Sequence, residues 1–219
     1  MRVVPLFVTI ALLFSACFPN HKKEVIVETW KNGKPKIKYV YGLSDADLSF
    51  TKEVGYYKSG CLKYIGFRSK GKRDSNWTQW YDSSGKVWEL HQFKNDLRMG
   101  WLCRWYENGN PRSRMHFVFD KRWGKHTEWY ENSKLRLKGQ WRNDKMIGHW
   151  VYWYENGNKE KEGNYCQGDW EKLSMFSGKY PDFVPLKDSV WIYYDSYGKI
   201  IRKETWETGK ILCVSFQKP

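Results

Sequence analysis

The chain has 219 residues, carries a formal charge of +14 and draws 18% of its residues from Phe, Trp and Tyr, with 14 Trp and 15 Tyr. These figures suit one domain, exclude an acidic or disordered polymer, and favour strands, where aromatic side chains fit a pleated surface. The positive charge either points to anionic lipid headgroups, envelope polymers or an acidic protein partner, or simply keeps an aromatic-rich sheet soluble and its edges blunt.

Taken in chain order, the first element is an address. Arg2 precedes an apolar run from Val3 to Leu13, interrupted only by Pro5 and Thr9, and Phe14-Ser15-Ala16-Cys17 follows. The run is too short to cross a bilayer as a helix and reads as a signal peptide over residues 1–16. Small residues ahead of a cysteine resemble a bacterial lipobox, with Phe14 where Leu is usual. That reading predicts cleavage before Cys17, lipidation of its thiol and a basic tether over residues 17–23; the alternative is an ordinary signal peptide cleaved near Ala16. The expected location is therefore the bacterial cell envelope, lipid-anchored to a membrane and either periplasmic or surface-exposed, where nucleic acid is not a partner.

Residues 24–216 read as a repeat array. Trp105-Tyr106-Glu107-Asn108-Gly109-Asn110 returns as Trp129-Tyr130-Glu131-Asn132-Ser133-Lys134 and as Trp153-Tyr154-Glu155-Asn156-Gly157-Asn158, each 24 residues after the last, and Gly100, Gly124 and Gly148 keep the same step. Two markers with one period mean small units that bury surface by stacking on their neighbours. Each unit reads as strand, tight turn, strand, looser turn, with Asn-Gly predicting a two-residue type I′ turn at the tip. Gly33, Gly60, Gly85, Gly109, Ser133, Gly157 and Gly198 then mark seven units, with an aromatic residue eight positions beyond five of them: Phe93, Phe117, Trp141, Tyr165 and Trp206. The longer spacings place one insertion in residues 42–53 and a larger one as a loop over 169–188. The strands at the two ends of the array, Glu24 to Trp30 and Ile211 to Phe216, have no cap, which makes a homodimer through the sheet ends, or strand addition by a partner, an expectation.

At this point the residues carry a family resemblance. Gly148-His149-Trp150-Val151-Tyr152-Trp153-Tyr154-Glu155-Asn156-Gly157, followed by a short charged strand and an aromatic, resembles the MORN-repeat variant, in particular the YwqK-type antitoxin family. The resemblance implies an all-β fold, an elongated antiparallel sheet of about seven stacked β-hairpin repeats. It also implies a scaffold, dimerisation module or membrane-adjacent adaptor, and it brings no catalytic residues.

The search for chemistry is otherwise sparse. None of the five histidines stands in a metal-ligand spacing; His126 and His149 lie about one repeat apart, too far to share an ion unaided. Glu107, Glu131 and Glu155 form a row best read as turn-bonding groups. Of Cys61, Cys103, Cys166 and Cys213, only Cys166 and Cys213 have phases compatible with a disulfide. No metal, cofactor or catalytic residue is expected, and the chain is expected not to be an enzyme. The expectation is an envelope lipoprotein that binds or scaffolds a protein partner or an anionic lipid or envelope polymer; an exported antitoxin or immunity-type protein that neutralises a toxin is the alternative. Its candidate binding surface comprises Trp105, Trp129 and Trp153, the run Lys121, Arg122 and Trp123, and Trp170, Phe176, Tyr180 and Phe183 in the insertion loop, since aromatic rings flanked by cations stack on glycans or meet anionic surfaces.

Overall fold

The computed structural model describes residues 23–41, 50–166 and 186–216. The signal segment, Cys17, the tether up to residue 22 and most of the insertion loop, with Trp170, Phe176, Tyr180 and Phe183, lie outside the described residues.

The described residues form strands and no helix: β1 (Lys23–Thr29), β2 (Pro35–Tyr41), β3 (Phe50–Tyr56), β4 (Leu62–Ser69) and β5 (Lys72–Trp80). Then follow β6 (Val87–Lys94), β7 (Leu97–Trp105), β8 (Pro111–Val118), β9 (Lys121–Trp129) and β10 (Leu135–Arg142). The last are β11 (Lys145–Trp153), β12 (Lys159–Tyr165), β13 (Lys187–Tyr194), β14 (Ile200–Glu207) and β15 (Lys210–Phe216). All fifteen join one antiparallel sheet in sequence order, without a crossover. The seven expected hairpins are present, and β15 adds one strand beyond them.

The two long edges of the sheet use different turns, and here the structure corrects the sequence reading. At the tips, Trp30 N donates to Lys34 O at 2.8 Å and Gly33 N to Trp30 O at 2.9 Å, and the pattern returns at Tyr106, Tyr130 and Tyr154. These are three-residue loops in which only the last residue is left-handed: φ is +79° at Gly33, +99° at Gly157 and +67° at Ser133, whereas the preceding asparagines are not left-handed. Asparagine serves the tip through its side chain instead. Asn156 Oδ1 accepts from Asn158 N at 2.9 Å, and Asn156 Nδ2 donates to Ser196 O of the next tip at 2.6 Å. The two-residue turn with positive φ at both positions lies on the opposite edge, at Asn95-Asp96 (φ 51° and 70°), Phe119-Asp120 (48° and 64°) and Asn143-Asp144 (52° and 65°).

Both edges are laced unit to unit. The tyrosine after each tip-ward strand donates its hydroxyl to a main-chain carbonyl one unit on: Tyr81 to Trp105 (2.9 Å), Tyr106 to Trp129 (2.9 Å), Tyr130 to Trp153 (2.7 Å) and Tyr154 to Tyr194 (2.9 Å). On the other edge each turn aspartate holds an arginine of the preceding unit, as in Arg73 to Asp96 (3.3 Å), Arg98 to Asp120 (2.8 Å) and Arg122 to Asp144 (3.0 Å). The same guanidiniums lie over Phe93, Phe117 and Trp141 at 4.1, 4.5 and 3.7 Å, so the aromatic found eight residues past the tips is a stacking platform for a cation.

Strand alternation gives the sheet a buried and a solvated face, seen most plainly in β10, where Leu135, Leu137, Gly139 and Trp141 are half-buried and the residues between them exposed. Register runs a spine of one residue per strand along the buried face. It passes through Trp77, His91, Leu102, Met115, His126 and Gly139, then Trp150 with Gly163 and Trp191 with Glu204. The spine pairs large with small: the rings of Trp77, Trp150 and Trp191 lie on Gly66, Gly139 and Gly163 of the neighbouring strands. Trp150 and Trp191 are each 1% exposed and, with Tyr165, form the core of the later units. No disulfide joins Cys61, Cys103, Cys166 and Cys213; Cys166 is buried at the end of β12, Cys213 is exposed on the edge strand β15, and the bridge that their phases left open is not formed.

Candidate functional site

The solvated face of β8 to β11 carries a concentration of cations that follows from register. Arg114 pairs with Thr127, Thr127 with Lys138 and Lys138 with Val151, while Lys125 pairs with Gln140. These residues therefore stand side by side on four strands although 37 positions separate Arg114 from Val151 in sequence. Thr127, Val151, Gln140, Lys125, Lys138 and His149 line a hollow of about 310 Å³, with the backbones of His126 and Gly139 in its floor. Arg114 flanks it, its guanidinium 4.0 Å over the Trp101 ring, and Trp101 in turn meets His116 edge-on at 5.1 Å.

Lys125, Lys138, Arg114 and His149 are all exposed. Glu162, whose carboxylate lies 3.6 Å from His149 Nε2, is already engaged: Lys159 Nζ donates to it at 2.8 Å and Tyr194 Oη at 2.6 Å. Burial would raise the Glu162 pKa, but these donors outweigh it and hold the carboxyl below its usual range. No carboxylate lines the hollow, so its lysines are free to take an anionic group at the surface, where such contacts are made with least desolvation.

The sequence-predicted residues distribute unevenly around this site. Trp105, Trp129 and Trp153 end β7, β9 and β11 half-buried, and their main-chain carbonyls receive the tyrosine hydroxyls of the tip ladder. Arg122 is committed to Asp144 and Trp141, whereas Lys121 is exposed and Trp123 is 46% exposed. Trp123 belongs to a bulge that sets residues 123–125 opposite His116, and Gly124, at φ +82°, is the residue that allows it. His126 and His149 stand on opposite faces: His126 occupies the spine position that Trp150 holds one unit on. It is 4% exposed and accepts from Trp141 Nε1 at 3.1 Å, while His149 points to the solvated face. No cluster of three or more metal-ligating side chains occurs among the described residues. Of the carboxylate row, Glu107 accepts from Ser83 of the preceding tip, in keeping with a turn role. Lys138, Gln140 and Arg114 were missed because cross-strand adjacency depends on bulges that periodicity alone does not locate; the exposed alternation of β10 was the available signal.

Comparison with known proteins agrees with this architecture. The model of the MORN repeat variant family matches residues 78–95 and 146–167. The first match takes in the end of β5, a tip and β6, and the second takes in nearly all of β11, a tip and β12. Separately, over 74 residues the chain is 32% identical to Defensin-like protein 218 of Arabidopsis thaliana, a stretch covering 30% of this chain and 85% of that protein. With a 24-residue step, laced tips and hairpins stacked in sequence order, the chain is an all-β repeat protein, and two of its hairpins match the MORN repeat variant.

Proposed function

We propose that this protein is an exported, lipid-anchored binding or scaffold module that engages an acidic partner surface through the solvated face of β8 to β11 and performs no chemistry of its own. The observation that carries the reading is the hollow lined by Lys125, Lys138 and His149, in which two exposed lysines stand with no carboxylate among the described lining residues. A rigid sheet laced along both edges holds those charges at fixed spacing, which serves recognition better than a flexible basic tail. Lipidation at Cys17 would keep that surface beside a membrane in the bacterial envelope.

The test places a photo-crosslinking residue at Gln140 in full-length protein in intact cells. One dominant protein adduct is expected, reduced at least tenfold by Lys125→Glu/Lys138→Glu with the β circular-dichroism signal unchanged, and reduced by Cys17→Ala as well. Adducts indifferent to the charge reversal would sink the reading. Capture of a toxin-like protein regardless of the anchor would transfer support to an immunity role.

A further inference from the structure

The buried face changes character between its two halves. Beside the spine runs a second register row, Gln79–Glu89–Arg104–Ser113–Glu128 in the earlier units and Leu137–Tyr152 in the later ones. In the later units indole rings and tyrosines fill this face. In β6 and β7 the spine supplies only His91 and Leu102, and a cleft of about 600 Å³ opens instead, lined among others by Arg73, Arg98, Arg104, Glu89, His91 and Phe93.

The charges in this cleft are arranged with guanidinium donors to spare. Glu89, 6% exposed, accepts one hydrogen bond on each oxygen, from Gln79 Nε2 at 3.0 Å and Arg104 Nε at 2.8 Å. Arg98 spends Nε and Nη2 on Asp120. Among the described residues the terminal nitrogens of Arg104 and Nη1 of Arg98 make no hydrogen bond, although a guanidinium has five N–H donors. His91, 8% exposed, stands beside them with Nε2 buried and unpartnered, and its Nδ1 is 3.9 Å from Glu89 Oε1. Burial first, then Arg98, Arg104 and Arg73, lower the His91 pKa against the opposing pull of Asp120, which with Asp96 and Glu89 also lines the cleft.

We propose that this cleft binds a small organic oxyanion, a carboxylate or a phosphate, gripped by Arg98 and Arg104 beside the His91 imidazole. Two guanidinium forks suit a planar or tetrahedral oxyanion better than ammonium groups would. The bound anion offsets the guanidinium field at His91, and an acceptor reaching its unpartnered Nε2 would satisfy that atom. This site lies on the face opposite the lysine hollow and stands independently of the partner reading.

The experiment titrates purified full-length protein with inorganic phosphate and, separately, succinate, following heat by calorimetry and the His91 ring signals by NMR. Saturable binding of one equivalent is expected, with the His91 signals moving along the same isotherm; the tighter of the two probes identifies the headgroup. Arg98→Gln and Arg104→Lys, the latter keeping a counter-charge for Glu89, should each weaken binding at least tenfold. Non-saturating titrations, or affinity unchanged in both variants, would overturn the site. So would binding lost in Lys125→Glu/Lys138→Glu and retained in the arginine variants, which would place the anion on the other face.

Discussion

His91 sits at a spine position that carries glycine in β4, β10 and β12, and the exchange gives the buried face a titratable ring. Its pKa is pushed down from 6.5 to about 4 by burial and then by Arg98, Arg104 and Arg73, with Glu89 and Asp120 the acids beside it. The unfolded chain therefore takes up this proton near pH 6.5 and the folded chain only near pH 4. Stability from the neutral ring is intact above pH 6.5 and drains away as pH falls toward 4, by on the order of 3 kcal/mol at most. His91→Leu should flatten the loss between pH 7 and pH 4.5, read by urea denaturation in anion-poor buffer; parallel losses in wild type and variant would refute this. The turn aspartates act in a lower window. Asp120 is held below its ordinary 3.8 by the Arg98 side chain and main-chain N–H, so its contribution persists above that value and fades beneath it.

At the scale of the hairpin, the spine glycines are fixed by contact. A Cβ on Gly163 would come within 2.3 Å of the Trp191 ring, and one on Gly139 within 2.1 Å of Trp150. Gly163→Ala is expected to cost about 1–3 kcal/mol by overpacking. Because the clash is with one ring, Gly163→Ala/Trp191→Leu should be less destabilised than the sum of the single changes by about 1 kcal/mol or more. Strict additivity in thermal or chemical melts would show that the glycine is needed for another reason. Much at this scale was legible in the sequence: the step between Trp105, Trp129 and Trp153 placed three tips, the turn glycines Gly33, Gly60, Gly85 and Gly198 placed the others, and Glu24 to Trp30 and Ile211 to Phe216 were recognisable as outer strands. Which edge carries which turn was not, because Asn-Gly is compatible with two loop lengths and only the hydrogen bonds select one. Nor was the Arg98–Asp120 pair, whose members meet where the turn after β8 folds its aspartate onto the start of β7, a contact that the hydrophobic pattern does not announce.

At the scale of the whole sheet, each strand among the described residues is hydrogen-bonded only to the strands that precede and follow it, so stability is a chain of neighbour interactions. The tip ladder survives the longest interruption of the repeat, since Tyr154 and Asn156 reach Tyr194 and Ser196 across about 40 positions. Cys166 N likewise meets Leu186 O at 2.9 Å, closing the base of the insertion. The faces were less legible than the period for the same reason that the cleft was: Gln79, Glu89 and Arg104 look like ordinary surface residues until register lines them up beneath Trp77 and His91.

The linear strand order also decides how the molecule would answer a mechanical load. The chain enters at β1 and leaves at β15, the two outermost strands. Tension on its ends would peel those strands and break hydrogen bonds a few at a time instead of shearing a whole interface at once. Each 24-residue repeat set free would lengthen the tether by about 80 Å of contour. In an optical trap the extension record should therefore be a staircase of small, evenly spaced steps at low force, and a single abrupt rip would mean that the repeats fail together.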